Sequence, residues 1–284
     1  MKNNMMKCTS NCGLRQRTKK ASFLIVSLAL VCALLCGCSS LQGYRPVTDI
    51  HALDGRRIGV GLACGPDYIL SRRDDLTVMR YNLVSGAITA LRYRQVDAVA
   101  VEKPTAIDIA NSVSGLQYIE EPIAWDSIGF ILGIEHEELK EEINAFIAEF
   151  IKTPEYEDMV ARSNDPNGYT FKQVPLKGGD RVLQIGAVSD AYPFSYPNFT
   201  TGSYEGTDVE FLCHFANAYG YDLVFHDGTW DSMELGVQYG QYDIGCGGVS
   251  ESYRPDIELS GGVLMTDTFL PVEIVLVINK DQNQ

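Results

Sequence analysis

Histidine, basic charge and disulfide-forming cysteine are all scarce in this chain, and each scarcity removes a class of function. The four histidines stand at 51, 136, 214 and 226, too scattered to make a metal-ligand spacing. His136 opens "HEELK", which lacks the second histidine of a zinc-protease helix, so all four read as solvated surface residues. Lysine and arginine number 23 against 37 aspartates and glutamates, a net charge of −14. That balance argues against nucleic acid as a partner. No metal and no cofactor is expected.

Acid is missing from the front of the chain. Lys2, Lys7, Arg15, Arg17, Lys19 and Lys20 precede the apolar run "ASFLIVSLALVCALLCG", which ends at Gly37. A basic region followed by an apolar one is the layout of a secretory signal. The run is short for a membrane span and ends in small residues. It closes on Leu35-Cys36-Gly37-Cys38, which resembles the lipobox of bacterial lipoproteins, where the last cysteine is acylated and becomes the new N-terminus. The resemblance implies that residues 1–37 are a signal peptide, that Cys38 carries the lipid, and that the protein is anchored on the extracytoplasmic face of a membrane. An uncleaved anchor or a plain secretory signal are the alternatives. Losing six basic residues and no acidic one takes the net charge from −14 to −20.

Cys8, Cys12, Cys32 and Cys36 would leave with the signal and Cys38 would be lipidated, so Cys64, Cys213 and Cys246 remain. An odd, widely spaced trio is no disulfide framework. Asn198-Phe199-Thr200 matches a glycosylation acceptor, a coincidence behind a bacterial lipobox.

The rest of the chain has ordinary globular composition, 45% hydrophobic and 21% charged, enough for one large or two small domains. A polar tether over 38–48 leads to two half-modules, 49–178 and 181–279. In the first, the strands "RIGVGL" and "VDAVAV" alternate with a helix, "SGAITALRYRQ". A strand at 127–134 follows, then a helix whose Leu139, Ile143, Phe146, Ile147, Phe150 and Ile151 fall on one face. The stretch 163–180 is rich in turn formers and reads as a connection. The second half repeats the alternation, with strands "RVLQIGAV", "YDLVF" and "YDIGCGG", two intervening helices and a last strand, "VEIVLVINK". Such alternation predicts βαβ units and parallel sheets.

The second half, "VLQIGAVSDAYPFSY" and "YEGTDVEFLCHFANAYGYDLVFHDGTWDSMELGVQYGQYDIGCGGVSESYRPDIELS", resembles the opening half of the type II periplasmic solute-binding proteins, the polar amino-acid binders in particular. The first half, with "ALDGRRIGVGLACG", "SGAITALRYRQVDAVAVEK", "SIGFILGI" and "LKEEINAFIAEFIKTPEYEDMVARS", resembles the closing half of the same family. The order is the reverse of the family's. Two arrangements fit: a single circularly permuted module, tolerated where termini lie close together, or the tail of one module followed by the head of another. The resemblance implies an α/β, two-lobed, periplasmic-binding-protein-like (type II) fold with mostly parallel sheets flanked by helices. In a single module, 127–134 and 272–279 would link the lobes.

The resemblance also assigns a ligand site in the cleft. Arg254 falls where the family's arginine pairs with a ligand carboxylate through two parallel donors, although the loop is one residue shorter here, and Ser250 and the backbone at Gly248 would complete that site. Trp230 matches an aromatic wall, and Tyr192 and Phe194 belong to the loop that caps the cleft. Glu102, after "VDAVAV", matches an acid that holds the ligand's ammonium, and a carboxylate at the end of a parallel strand points into the crevice there. Where relatives have a Gly-Thr-Thr-like loop, this chain has Ala63-Cys64-Gly65-Pro66-Asp67. Asp67 at that helix start stands where an anion would otherwise bind.

The function implied is capture of a small zwitterionic, amino-acid-like ligand for an ABC permease, with no chemistry. The alternatives are a sensor lipoprotein read by a membrane receptor, a dehydratase-like enzyme using Glu102, or a non-binding remnant of a tandem array; fold alone does not choose among them.

Overall fold

The computed structural model describes residues 44–280, so the basic leader, the apolar run and Cys38 lie outside the described residues. Its first group of elements is β1 (Arg57–Gly61), α1 (Gly65–Leu70), β2 (Thr77–Tyr81), α2 (Val84–Arg92), β3 (Ala98–Glu102) and α3 (Lys103–Ser112). All five residues of β3 are buried, as expected of a parallel strand covered on both faces. β1 lies between β2 and β3 and runs parallel to both. Asp97 fastens the entry to this group. Its carboxylate accepts the backbone N–H groups of Arg45 and Arg57 and pairs with the Arg57 guanidinium at 2.9 Å.

β4 (Leu116–Gly133) leads away to α4 (Glu137–Phe150) and α5 (Pro154–Ser163). After the connection come β5 (Arg181–Val188), the short ribbon β6 (Tyr196–Pro197) and β7 (Tyr204–Glu205), α6 (Thr207–Tyr219), β8 (Tyr221–Gly228), α7 (Trp230–Gln238) and β9 (Ile244–Ser250). A 3-10 turn at Glu251–Tyr253, α8 (Arg254–Ser260), β10 (Val263–Met265) and β11 (Leu270–Asn279) complete the chain. In this second group β5 lies between β8 and β9, parallel to both.

The strand order is β2-β1-β3-β11-β4-β9-β5-β8, with β10 also on β4. β11 pairs antiparallel with β3 through Ile274–Val277, and β4 pairs antiparallel with β9 through Ile128–Leu132. These two strands, paired with each other, therefore carry the chain between the two parallel groups. The fold is α/β and two-lobed, with mostly parallel strands in each lobe flanked by helices. β11 covers the span expected of a linking strand. β4 begins at Leu116 rather than 127 because it includes the polar stretch Glu120-Glu121-Pro122, which hides a strand from any reading of apolar periodicity. β2 is likewise a strand that the alternation did not reveal, since it is an edge strand with no buried residue.

The helices α4 and α5 belong by sequence to the first half but pack on the second lobe. Phe146 and Phe150 of α4 meet Phe211 of α6 edge-on, at 5.4 and 5.5 Å between centroids. Arg162 of α5 pairs at 2.6 Å with Glu210, whose side chain is 1% exposed. Leu139, Ile143, Ile147 and Phe150 form the buried stripe that fixes α4 there.

Candidate functional site

A cavity of about 660 Å³ opens between the lobes, at the carboxyl ends of β1, β3, β5 and β9. Crevices at that end of parallel strands are the usual ligand sites of open α/β sheets. The first lobe supplies the turn from Gly61 to Cys64, the start of α2, Glu102, and one face of α3 through Thr105, Asp108, Ile109 and Ser112. The second supplies Asp190 to Tyr192, Phe194, the α7 start from Thr229 to Asp231, and Gly247 with Gly248.

Each wall is positioned by local chemistry. β3 ends at Glu102, which is 8% exposed. Burial, with the nearby charge of Asp126, pushes its carboxyl up to about 7, and its own backbone N–H opposes the shift. Burial also raises Asp108, and it pushes the Cys64 thiol well up, so Cys64 is a packed thiol donating to the Gly61 carbonyl at 2.9 Å rather than a nucleophile. On the far wall, Thr229 and Ser232 form a reciprocal cap on α7. That cap sets Trp230 at the cavity, with its ring edge-on to Tyr253 at 5.9 Å.

The Gly247-Gly248 turn requires glycine twice. The φ values are +134° and +78°, and a Cβ on Gly248 would lie 2.6 Å from the Phe194 ring. Asp208, buried at the start of α6, holds the turn by accepting both backbone N–H groups at 2.9 Å.

Of the residues assigned from the sequence, Glu102, Trp230, Tyr192, Phe194 and Gly248 line this cavity, and Arg254, Ser250 and Asp67 do not. The Arg254 guanidinium is held bidentately by Glu251 at 2.5 and 2.7 Å and donates to the carbonyls of Thr266 and Met265. α8 starts at Arg254 itself, and the side chain lies against the end of β10 and the residue after it. The Ser250 hydroxyl donates to Asp126 at 2.5 Å, and the Gly248 N–H is the one bound by Asp208. Asp67 accepts from the Ala63 N–H, Ser71 and Arg80. The groups expected to receive a ligand carboxylate thus have partners within the protein, Arg254 in Glu251, the Ser250 hydroxyl in Asp126 and the Gly248 N–H in Asp208.

Asp108, Asp190, Asp231 and Thr105 line the cavity and were not singled out from the sequence. One signal was present. Glu102, Thr105, Asp108 and Ser112 recur at helical spacing from the end of β3, a polar stripe on a helix whose Pro104, Ala106, Ile107 and Ile109 are buried.

The chain thus forms two α/β lobes joined by two strands around a cleft. Residues 183–282 match the family model of the bacterial extracellular solute-binding proteins, family 3. The chain is 27% identical over 126 residues to the L-cystine-binding protein TcyA of Bacillus subtilis (strain 168). That alignment takes in 44% of this chain and 44% of TcyA, less than half the length of the relative. Among solved structures, the chain is similar to the BvgS VFT2 domain of Bordetella pertussis, at 13% identity and TM-score 0.41 over 80% of this chain and 82% of that one. It is also similar to an ABC transporter periplasmic binding protein from Brucella ovis with glutathione bound, at 12% identity and TM-score 0.42 over 82% and 64%.

Proposed function

We propose that this chain is a lipid-anchored, extracytoplasmic solute-binding protein that encloses a small ammonium-bearing solute between its lobes and presents it to an ABC importer. The observation that carries the reading is the cleft itself, about 660 Å³ of space with the buried carboxylate of Glu102 on its wall. A buried acid without a cation is costly, so an ammonium on the ligand is its natural partner. The family match over 183–282 and the similarity to a cystine-binding protein support capture without chemistry. The reading takes 49–134 and 181–279 as lobes of a single permuted module, because β11 completes the sheet begun by β1 to β3. Closure would proceed by bending at β4 and β11, the two strands that both lobes share.

A thermal-shift screen of the purified protein against amino acids and amines tests this, since a ligand bound only by the native state raises the midpoint. A rise of several degrees with at least one compound is the expected result. No response to any compound would refute it.

A further inference from the structure

The cavity lining carries four carboxylates and no lysine, arginine or histidine. They are divided between the walls, Glu102 and Asp108 on the first lobe and Asp190 and Asp231 on the second. Among the described residues, the Glu102 carboxylate has no salt bridge, although the residue is 8% exposed and on the cavity wall. The groups that the sequence suggested for an anion, and the Ala63 N–H beside them, are each bound by a carboxylate of the protein itself. Glu251 holds Arg254, Asp126 holds the Ser250 hydroxyl, Asp208 holds the Gly248 N–H, and Asp67 holds the Ala63 N–H.

We infer that the ligand is an amine with positive charge at both ends and no carboxylate, a diamine or short polyamine, held between the acids of the first lobe, Glu102 and Asp108, and those of the second, Asp190 and Asp231. The inference rests on solute capture in this cleft and narrows it. Lobe closure brings two anionic walls together, and a dication offsets that repulsion where a zwitterion cannot. A ligand carboxylate would be desolvated among four acids with its expected donors already engaged. The half-buried Trp230 and Tyr192 faces suit the methylene chain between two ammonium groups and add attraction to the charges themselves.

Calorimetry at low salt tests this with putrescine, cadaverine and spermidine against butylamine, cystine, glutamine and arginine. A diamine or spermidine should bind at least about tenfold more tightly than any of the amino acids or butylamine, and Glu102→Gln and Asp231→Asn should each weaken it at least about tenfold. Asp231 is exposed, so its variant reads the second wall without a burden on folding. An amino acid that binds as well as the diamines would overturn the inference and leave solute capture standing. Butylamine binding as tightly as putrescine, or diamine binding untouched by both substitutions, would overturn the two-ended grip. Silence from every compound would overturn the inference together with solute capture.

Discussion

Tyr68 and Tyr253 stack with ring centroids 5.0 Å apart and planes 25° apart, and they come from opposite lobes, one on α1 and the other in the turn after β9. Nearby, Arg72 donates to the Ser252 carbonyl at 3.2 Å. On the far side of the cleft, Thr105 donates to the Tyr192 carbonyl at 3.1 Å. The lobes are thus latched at both margins of the cavity.

Tyr68→Ala should loosen that latch. An aromatic pair contributes about 0.5–1.5 kcal/mol beyond its buried area, so the closed state should lose about two- to tenfold in population. Spin labels placed one on each lobe would read this as a new, longer distance. A distribution identical to that of the parent protein would show that the stack does not govern closure.

Glu102 makes stability depend on pH in a definite sense. Its carboxyl is raised from 4.5 to about 7, by burial first and by Asp126 second. The unfolded chain therefore ionises it more readily, and the folded state loses stability as pH climbs from 4.5 through 7. Below 4.5 there is no such loss. Above 7 it reaches about 3 kcal/mol. Glu102→Gln removes the group, so its stability relative to the parent should rise by about that amount between pH 4.5 and pH 8 in urea titrations. A difference that stays flat with pH would contradict the assignment.

Deleting the chain from Thr268 onward tests whether the two halves make a single module. β11 contributes Ile274, Val275, Leu276 and Val277, all fully buried, against β3 and β4. Their loss should unfold the first lobe as well as the second, seen as collapse of amide dispersion throughout the NMR spectrum. A truncated chain in which residues 49–112 keep their native resonances would favour two unrelated half-modules.

Asp208→Ala should destabilise the protein by about 2–5 kcal/mol, because the Gly247 and Gly248 N–H groups lose their shared acceptor. Asp208→Asn keeps an acceptor oxygen and should recover much of the loss. Urea midpoints decide it. An alanine variant within about 0.5 kcal/mol of the parent would mean that the turn finds other partners.

Cys38→Ala should release the protein from membranes, since the proposed lipid attachment rests on that thiol. Carbonate extraction followed by blotting is the check. A variant retained as firmly as the parent would point to an uncleaved apolar anchor.

What the sequence determined by itself was local and modular. Periodicity marked the parallel strands other than the edge strand β2, and the α4 stripe, because both are written in neighbouring residues. The family resemblance pointed to Glu102 and Trp230, and both line the cavity. Periodicity missed β4 before residue 127, where Glu120 and Glu121 are tolerated on an exposed stretch of a long strand. The fate of Arg254, Ser250 and Gly248 was decided only in three dimensions. A side chain's type states what it can bind, whereas its actual partner depends on what the fold brings near: Asp126 reaches Ser250 across 124 positions of chain, and Asp208 reaches Gly248 across 40. The convergence of four acids in one cavity has the same origin, because two come from each lobe and only the crossing of β4 and β11 sets the walls face to face.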